Sequence, residues 1–167
     1  MSDSISKRVE RLRKYMQRNG LQAFVFPSTD PHQGEYVPGH WQTRQWISGF
    51  DGSAGTAVVT LADAALWTDS RYFIAAEEQL QGTPFCLMKD GLPGTPSVTE
   101  WLIETIHSDA TVGVDGSVFT ESELEEMRYT LGKADIALRT DLDPAEELWT
   151  ARPPIPRNKV ELQPLEY

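Results

Sequence analysis

A single cysteine, Cys86, stands in the whole chain. No intrachain disulfide can form, and a reducing compartment is favoured. There is no paired-cysteine motif and no HExxH helix, so the usual signatures of a zinc site are missing. No apolar run approaches the roughly 20 residues that a membrane helix needs. The opening MSDSISKRVERL has no signal-peptide core, and the expected location is cytoplasmic. Basic residues are scarce: Lys+Arg number 15 against 25 Asp+Glu, for a formal charge of −10. That balance argues against a nucleic-acid partner, which would need a basic stripe. The one basic cluster, Lys7, Arg8, Arg11, Arg13, Lys14 and Arg18, falls on the polar face of a helix and is expected to be solvated. The acids at 77–78, 121–126 and 146–147 also read as solvated helix faces.

Catalytic signatures are equally thin. The glycine-rich stretch 49–55 lacks the lysine of a P-loop, and Asp51 stands where a nucleophile elbow would need glycine. No Ser-His-Asp or Cys-His set emerges from spacing. Cys86, in the apolar run 85–88, reads as a buried strand residue with no histidine nearby in sequence. Asp30, His32, Glu35 and His40 share one loop; a metal wants rigidly held ligands with supporting partners, so loop hydrogen bonding is the better reading. His107, at a helix end, reads as structural.

What is present is an organised α/β pattern. With 167 residues the chain can bury the core of one domain. The organising stretch is 46–72, WISGFDGSAGTAVVTLADAALWTDSRY. Its glycines allow bends, and the runs 56–61 and 64–68, separated by Ala62 and Asp63, predict a tight hairpin. Before it, Ile5, Val9, Leu12 and Met16 predict a helix over 5–18 stopped at Asn19-Gly20, and 21–26 a strand. Residues 28–45 form a polar connection of the length that often carries function. After the hairpin come a helix over 71–81 and a strand at 85–88. Capping boxes at Ser97 and Thr120 open two further helices, with strands at 111–114 and 136–138 and a last short helix at 144–149. Strands separated by helices imply parallel crossovers, and the hairpin makes the sheet mixed. The domain is expected to span 1–151, followed at 152–167 by a linker with four prolines. The end at PLEY suggests that a further domain is missing.

Among single side chains Arg71 is the strongest functional candidate. A guanidinium at a strand's exit can clamp a carboxylate or carbonyl through paired donors. Asp69, two residues earlier, either orients it or simply pairs with it.

The strings STDPHQGEYVP, WQTRQWISGFDGSAGTAVVT, ALWTDSRYF, LMKDGLPGTP, VGVD and LWTARPPIP resemble the N-terminal domain of cytosolic-type Xaa-Pro aminopeptidases, in the creatinase/prolidase group of metallopeptidases. The resemblance covers nearly the whole chain. It implies an α/β fold with a mixed β-sheet and helices on both faces, ribonuclease-H-like. It also implies a non-catalytic domain of a larger enzyme that removes the residue preceding proline. The two divalent ions, Mn²⁺-type, would sit in a C-terminal domain absent from this chain, so neither metal ligands nor catalytic residues carry over. Expected partners are the second and catalytic domains of the same chain, a second subunit in a homodimer, and peptides with proline at the second position. Asp69, Arg71 and Tyr72 match the family's aspartate-X-arginine-tyrosine stretch, with Ser70 where glycine is more frequent. These three and His40 are the candidates for the border of the substrate cleft. The alternative is a free-standing α/β interaction or ligand-binding domain.

Overall fold

The computed structural model describes residues 4–159; PLEY lies outside them. The backbone of the fold is a six-stranded sheet in the order β4-β3-β2-β1-β5-β6. Its strands are β1 (Ala23–Phe26), β2 (Thr56–Thr60), β3 (Ala64–Thr68), β4 (Cys86–Lys89), β5 (Thr111–Val114) and β6 (Ala137–Arg139). β1 pairs antiparallel with β2, and β2 with β3. The other three pairings, β3–β4, β1–β5 and β5–β6, are parallel. The sheet is therefore mixed, for the reason the sequence gives: hairpin first, helical crossovers afterwards.

Strand alternation sends side chains to two separate cores. Phe24, Phe26, Val59 and Leu66 pack with Val9, Leu12 and Met16 of α1 (Ile5–Arg18), Trp46 and Ile47 of α2 (Thr43–Ser48), Ala76 of α3 (Phe73–Gln79) and Ala145 of α6 (Pro144–Leu148). Ala23, Val25, Val58 and Trp67 pack on the opposite face with Trp101 and Leu102 of α4 (Val98–Thr105) and Leu124 and Leu131 of α5 (Glu121–Gly132). Helices thus cover both faces. Both capping boxes form: Ser97 and Thr120 each accept from the third residue's N–H, and Glu100 and Glu123 reach back. Each such cap stabilises its helix by about 1 kcal/mol.

Four local expectations are corrected. The connection 28–45 is not wholly irregular, because a 3₁₀ turn at Gly39–Trp41 and α2 interrupt it. The helix expected from residue 71 begins at Phe73, with Asp69 to Tyr72 forming a turn. Cys86 is exposed rather than buried; β4 is an edge strand, and Phe85 takes the buried position instead. The neighbouring protein still desolvates its thiol enough to raise the pKa. Finally, the arginines of α1 are not merely solvated. Arg13 donates to the carbonyls of Thr60, Ala62 and Asp63 at the hairpin, at 3.0, 2.9 and 3.2 Å. Arg8 donates to the Trp46 carbonyl at 2.5 Å, and Arg18 pairs with Glu147. Arginine's forked donors reach backbone oxygens that helix periodicity alone does not reveal. No helix among the described residues is long and apolar enough to cross a membrane.

Candidate functional site

The sheet delivers the end of β3 beside a glycine-rich bend, and that junction holds most of the polar chemistry. Past Thr68 the chain turns, with the Tyr72 N–H donating to the Asp69 carbonyl at 3.0 Å. The turn folds Arg71 back onto Asp69. Its Nε donates to Oδ1 and its Nη2 to Oδ2, each at 2.8 Å, while its own backbone N–H donates to Oδ1 at 3.0 Å. Hydrogen bonding from Arg71 holds the Asp69 carboxyl down to about 2. Asp69 in turn pushes the Arg71 guanidinium further above its ordinary value. The clasp is nonetheless open to solvent, with 66% of the Arg71 side chain exposed. Two of the five guanidinium N–H groups are engaged with Asp69, leaving the remainder free to meet a carbonyl or carboxylate.

Tyr72 links this clasp to the bend. Its ring lies 5.2 Å from the Arg71 guanidinium carbon, within cation–π range. Its hydroxyl is 2.6 Å from Ser53 Oγ, a hydrogen bond that lowers the phenol's pKa. Its ring meets Phe50 edge-on at 6.0 Å.

Arg44, on α2, builds the bend from behind. It is 6% exposed, and all its hydrogen-bond partners are neutral oxygens. Nε donates to Ser28 Oγ and Nη1 to the Phe50 carbonyl, both at 2.8 Å, and Nη2 donates to the Gly52 carbonyl. Burial pulls its pKa down to about 10, against the fields of Asp51 and Tyr72, so it remains a cation at neutral pH. Thr68 Oγ1 donates to the Ala54 carbonyl at 2.7 Å and Ser28 Oγ to the Gly55 carbonyl at 2.5 Å. Gly55 itself admits no side chain: a Cβ there would lie 2.6 Å from the Trp67 carbonyl oxygen. Spacing carried the signal for Arg44, since Arg44, Ile47 and Ser48 form one buried stripe at i, i+3 and i+4. Residue type does not mark it, because arginine is seldom buried.

Arg44 also lines a cleft of about 200 Å³ together with Glu35, Tyr36, Trp41, Asp51 and Ser53. The remaining sequence candidates are dispersed. Asp30, 3% exposed, spends its Oδ1 on the N–H groups of His32 and Gly34 at 2.7 and 3.4 Å, which orders the loop. His40 belongs to the C-terminal side: its Nδ1 lies 2.7 Å from the Pro153 carbonyl, and its own carbonyl accepts from Arg152 Nε at 2.8 Å. Asp69, Arg71 and Tyr72 come together; His40 shares no contact with them. His107 Nδ1 faces the Ser108 carbonyl. Among the described residues there is no group of three or more His, Cys, Asp or Glu side chains that could hold a metal ion. The Ser53–Tyr72 hydroxyl pair has no histidine or carboxylate base joined to it by a hydrogen bond. The arrangement presents an exposed guanidinium with uncommitted donors beside a hydrogen-bonded pair of hydroxyls.

The chain is similar to known proteins along nearly its whole length. Residues 8–146 match the family model described as the Creatinase/Prolidase N-terminal domain. The chain is 38% identical over 140 residues to Xaa-Pro aminopeptidase 1 of Dictyostelium discoideum, covering 84% of this chain and 22% of that protein. It is 41% identical over 166 residues to a probable Xaa-Pro aminopeptidase P of Talaromyces marneffei, covering 97% and 25%. It therefore spans about a quarter of the length of these relatives. Among solved structures, an X-prolyl aminopeptidase from Caenorhabditis elegans, described as a cytosolic enzyme with a di-nuclear active site, superposes with a TM-score of 0.85. The identity is 30%, over 90% of this chain and 26% of that one. The N-terminal domain of the cytoplasmic peptidase PepQ from Mycobacterium tuberculosis shares the fold at a TM-score of 0.62 and 21% identity, over 86% and 98%. From its matched residues and its mixed sheet alike, the chain belongs to the creatinase/prolidase N-terminal domain family.

Proposed function

We propose that this chain is the N-terminal, non-catalytic domain of a dinuclear metal-dependent aminopeptidase that removes an N-terminal residue preceding proline. The observation that carries this reading is the alignment of nearly the whole chain with about one quarter of Xaa-Pro aminopeptidases. The two divalent ions, manganese in this reading, belong to the part of the parent beyond this chain. The described residues offer no ligand set for them. The domain unit runs to about residue 151, with 152–167 leading onward. The parent is cytosolic and a homodimer, and this domain packs against its other domains.

The role of the chain's own residues is recognition. Arg71 faces the substrate cleft, carried by Asp69 and Tyr72, and offers its uncommitted N–H groups to a carbonyl or terminal carboxylate of a short peptide. His40 borders the same cleft where the chain leaves the domain. The fragment gates access and the rest of the parent performs the chemistry.

The test compares this fragment with the full-length gene product on an Xaa-Pro-Pro peptide with added Mn²⁺. Activity is expected only in the full-length protein, and turnover by the fragment would refute the division of labour. In the full-length protein Arg71→Ala should lower kcat/KM by about tenfold or more, the scale of one lost charge-assisted contact. An unchanged value would remove Arg71 from the cleft.

A further inference from the structure

We infer that Arg44 is a positioning residue for Arg71, acting through the 50–53 bend and the Ser53–Tyr72 hydrogen bond. The functional consequence rests on the reading of Arg71 given above; the physical coupling does not. The bend carries glycines at 49, 52 and 55, so little in its backbone resists displacement. A planar fork placed behind it holds its inner side: Arg44 binds the carbonyls of Phe50 and Gly52 together, and through Nε the hydroxyl of Ser28, while Gln79 grips Asp51 on the outer side. Ser53 follows directly, and its Oγ, 2.6 Å from the Tyr72 hydroxyl, is the bend's polar grip on that ring. The Tyr72 ring in turn lies against the Arg71 guanidinium at 5.2 Å. The contacts form one continuous path from a buried cation to an exposed one.

Retention of a buried cation with no carboxylate bound to it needs a reason, since an apolar side chain would fill the space without desolvating a charge. Two carbonyls to be held at a fixed separation supply that reason. Lysine, a point charge on a flexible stem, lacks the rigid fork that fixes the separation between them. The same geometry shows which contacts hold Arg71. Asp69 fixes the guanidinium from one side through its carboxylate, but only Tyr72 supports its face. Loss of the bend would leave Arg71 paired yet free to swing with its turn.

The experiment introduces Arg44→Lys, Arg44→Met and Ser53→Ala into the full-length protein, each with and without Arg71→Ala. With Arg71 present, each substitution is expected to lower kcat/KM about tenfold, mainly through KM, with Arg44→Lys milder than Arg44→Met. In the Arg71→Ala background the same substitutions should change it less than about twofold. Equal losses in both backgrounds would overturn the proposal. A second readout does not use activity: the Tyr72 phenol is titrated by NMR with selectively labelled tyrosine and assigned by Tyr72→Phe. Loss of the Ser53 bond should raise its pKa toward the ordinary tyrosine value in Ser53→Ala and in both Arg44 variants. An unshifted Tyr72 in the Arg44 variants would overturn the coupling. If Arg71→Ala alone leaves kcat/KM unchanged, the substrate-facing reading falls, and the Tyr72 titration decides the coupling by itself. Should Arg44→Met not fold, Arg44→Lys and Ser53→Ala retain the full comparison.

Discussion

The Arg44 guanidinium donates to the Phe50 carbonyl at 2.8 Å and lies 4.9 Å from the Phe50 ring centre, so one side chain holds both ends of its neighbour. That pairing sets the first stability prediction. Arg44→Met would strand two inward-facing carbonyls, those of Phe50 and Gly52, at about 1–3 kcal/mol each. Relief from burying a charge would offset part of this. A net loss of about 3 kcal/mol is expected from urea unfolding, with Arg44→Lys intermediate. A loss under about 1 kcal/mol would mean that water replaces the guanidinium without penalty.

Two glycine-to-alanine substitutions should move stability in opposite directions. Gly55→Ala places a Cβ 2.6 Å from the Trp67 backbone oxygen, and neither β2 nor β3 can give way without breaking the hairpin register. A loss of about 2–4 kcal/mol is expected. Gly132→Ala, at the end of α5, meets nothing within 4 Å and has no positive φ to strain. It should gain about 0.5 kcal/mol from reduced freedom in the unfolded chain. Thermal melts of the two variants check both signs.

The topology was legible because each level of sequence signal agreed with the next. Tight-turn residues between 56–61 and 64–68 gave the hairpin, and Ser97 and Thr120 with their glutamates gave the starts of α4 and α5. The continuous apolar run Ala23-Phe-Val-Phe26 encoded the two-sided burial. The site was only half legible. The Asp69–Arg71 contact is local, two residues apart, and could be read directly. The Arg44 clamp spans α2 and the bend through backbone carbonyls, which leave no residue-type signature. Cys86 was misplaced for a related reason. Apolar neighbours mark a strand but do not say whether it lies at the sheet's edge, and sheet order follows from contacts distant in sequence.

The Asp69–Arg71 clasp should survive unusually far into acid. The folded-state pKa of Asp69, about 2, lies below the ordinary aspartate value, because Arg71 hydrogen-bonds the carboxylate. Its contribution is therefore complete at pH values above the ordinary carboxylate range and fades as pH falls toward 2. The exposed position keeps the energetic effect small, so the carboxyl resonance, followed by NMR, is the appropriate probe. A midpoint below about 3 is expected. In Arg71→Ala it should return to the ordinary aspartate value, and a wild-type midpoint already there would show that the pair does not persist in solution.

Arg152 ties the C-terminal part of the described chain to Asp143 and to the His40 backbone. Its Nη1 pairs with Asp143 Oδ2 at 2.5 Å, with only 10% and 23% of the two side chains exposed. Its Nε holds the His40 carbonyl at 2.8 Å, while His40 Nδ1 meets the Pro153 carbonyl at 2.7 Å. Asp143 has a second duty: its Oδ1 accepts from the Ala145 N–H and caps α6. Arg152→Ala would thus remove the partner of a mostly buried carboxylate and the donor for a backbone oxygen, without abolishing the cap. About 2 kcal/mol of stability should be lost, a fall in Tm of roughly 4–8 °C for a domain of this size. His40→Ala removes only the Pro153 contact and should cost less than half as much. Arg152→Ala and Gly55→Ala together separate stability from order. If the clasp alone fixes the exit, the backbone order parameter of Ile155 should fall below about 0.6 in Arg152→Ala. It should stay near the rigid value in Gly55→Ala, which weakens the fold elsewhere. An Ile155 that remains rigid without Arg152 would mean that the prolines at 153, 154 and 156 stiffen the exit by themselves.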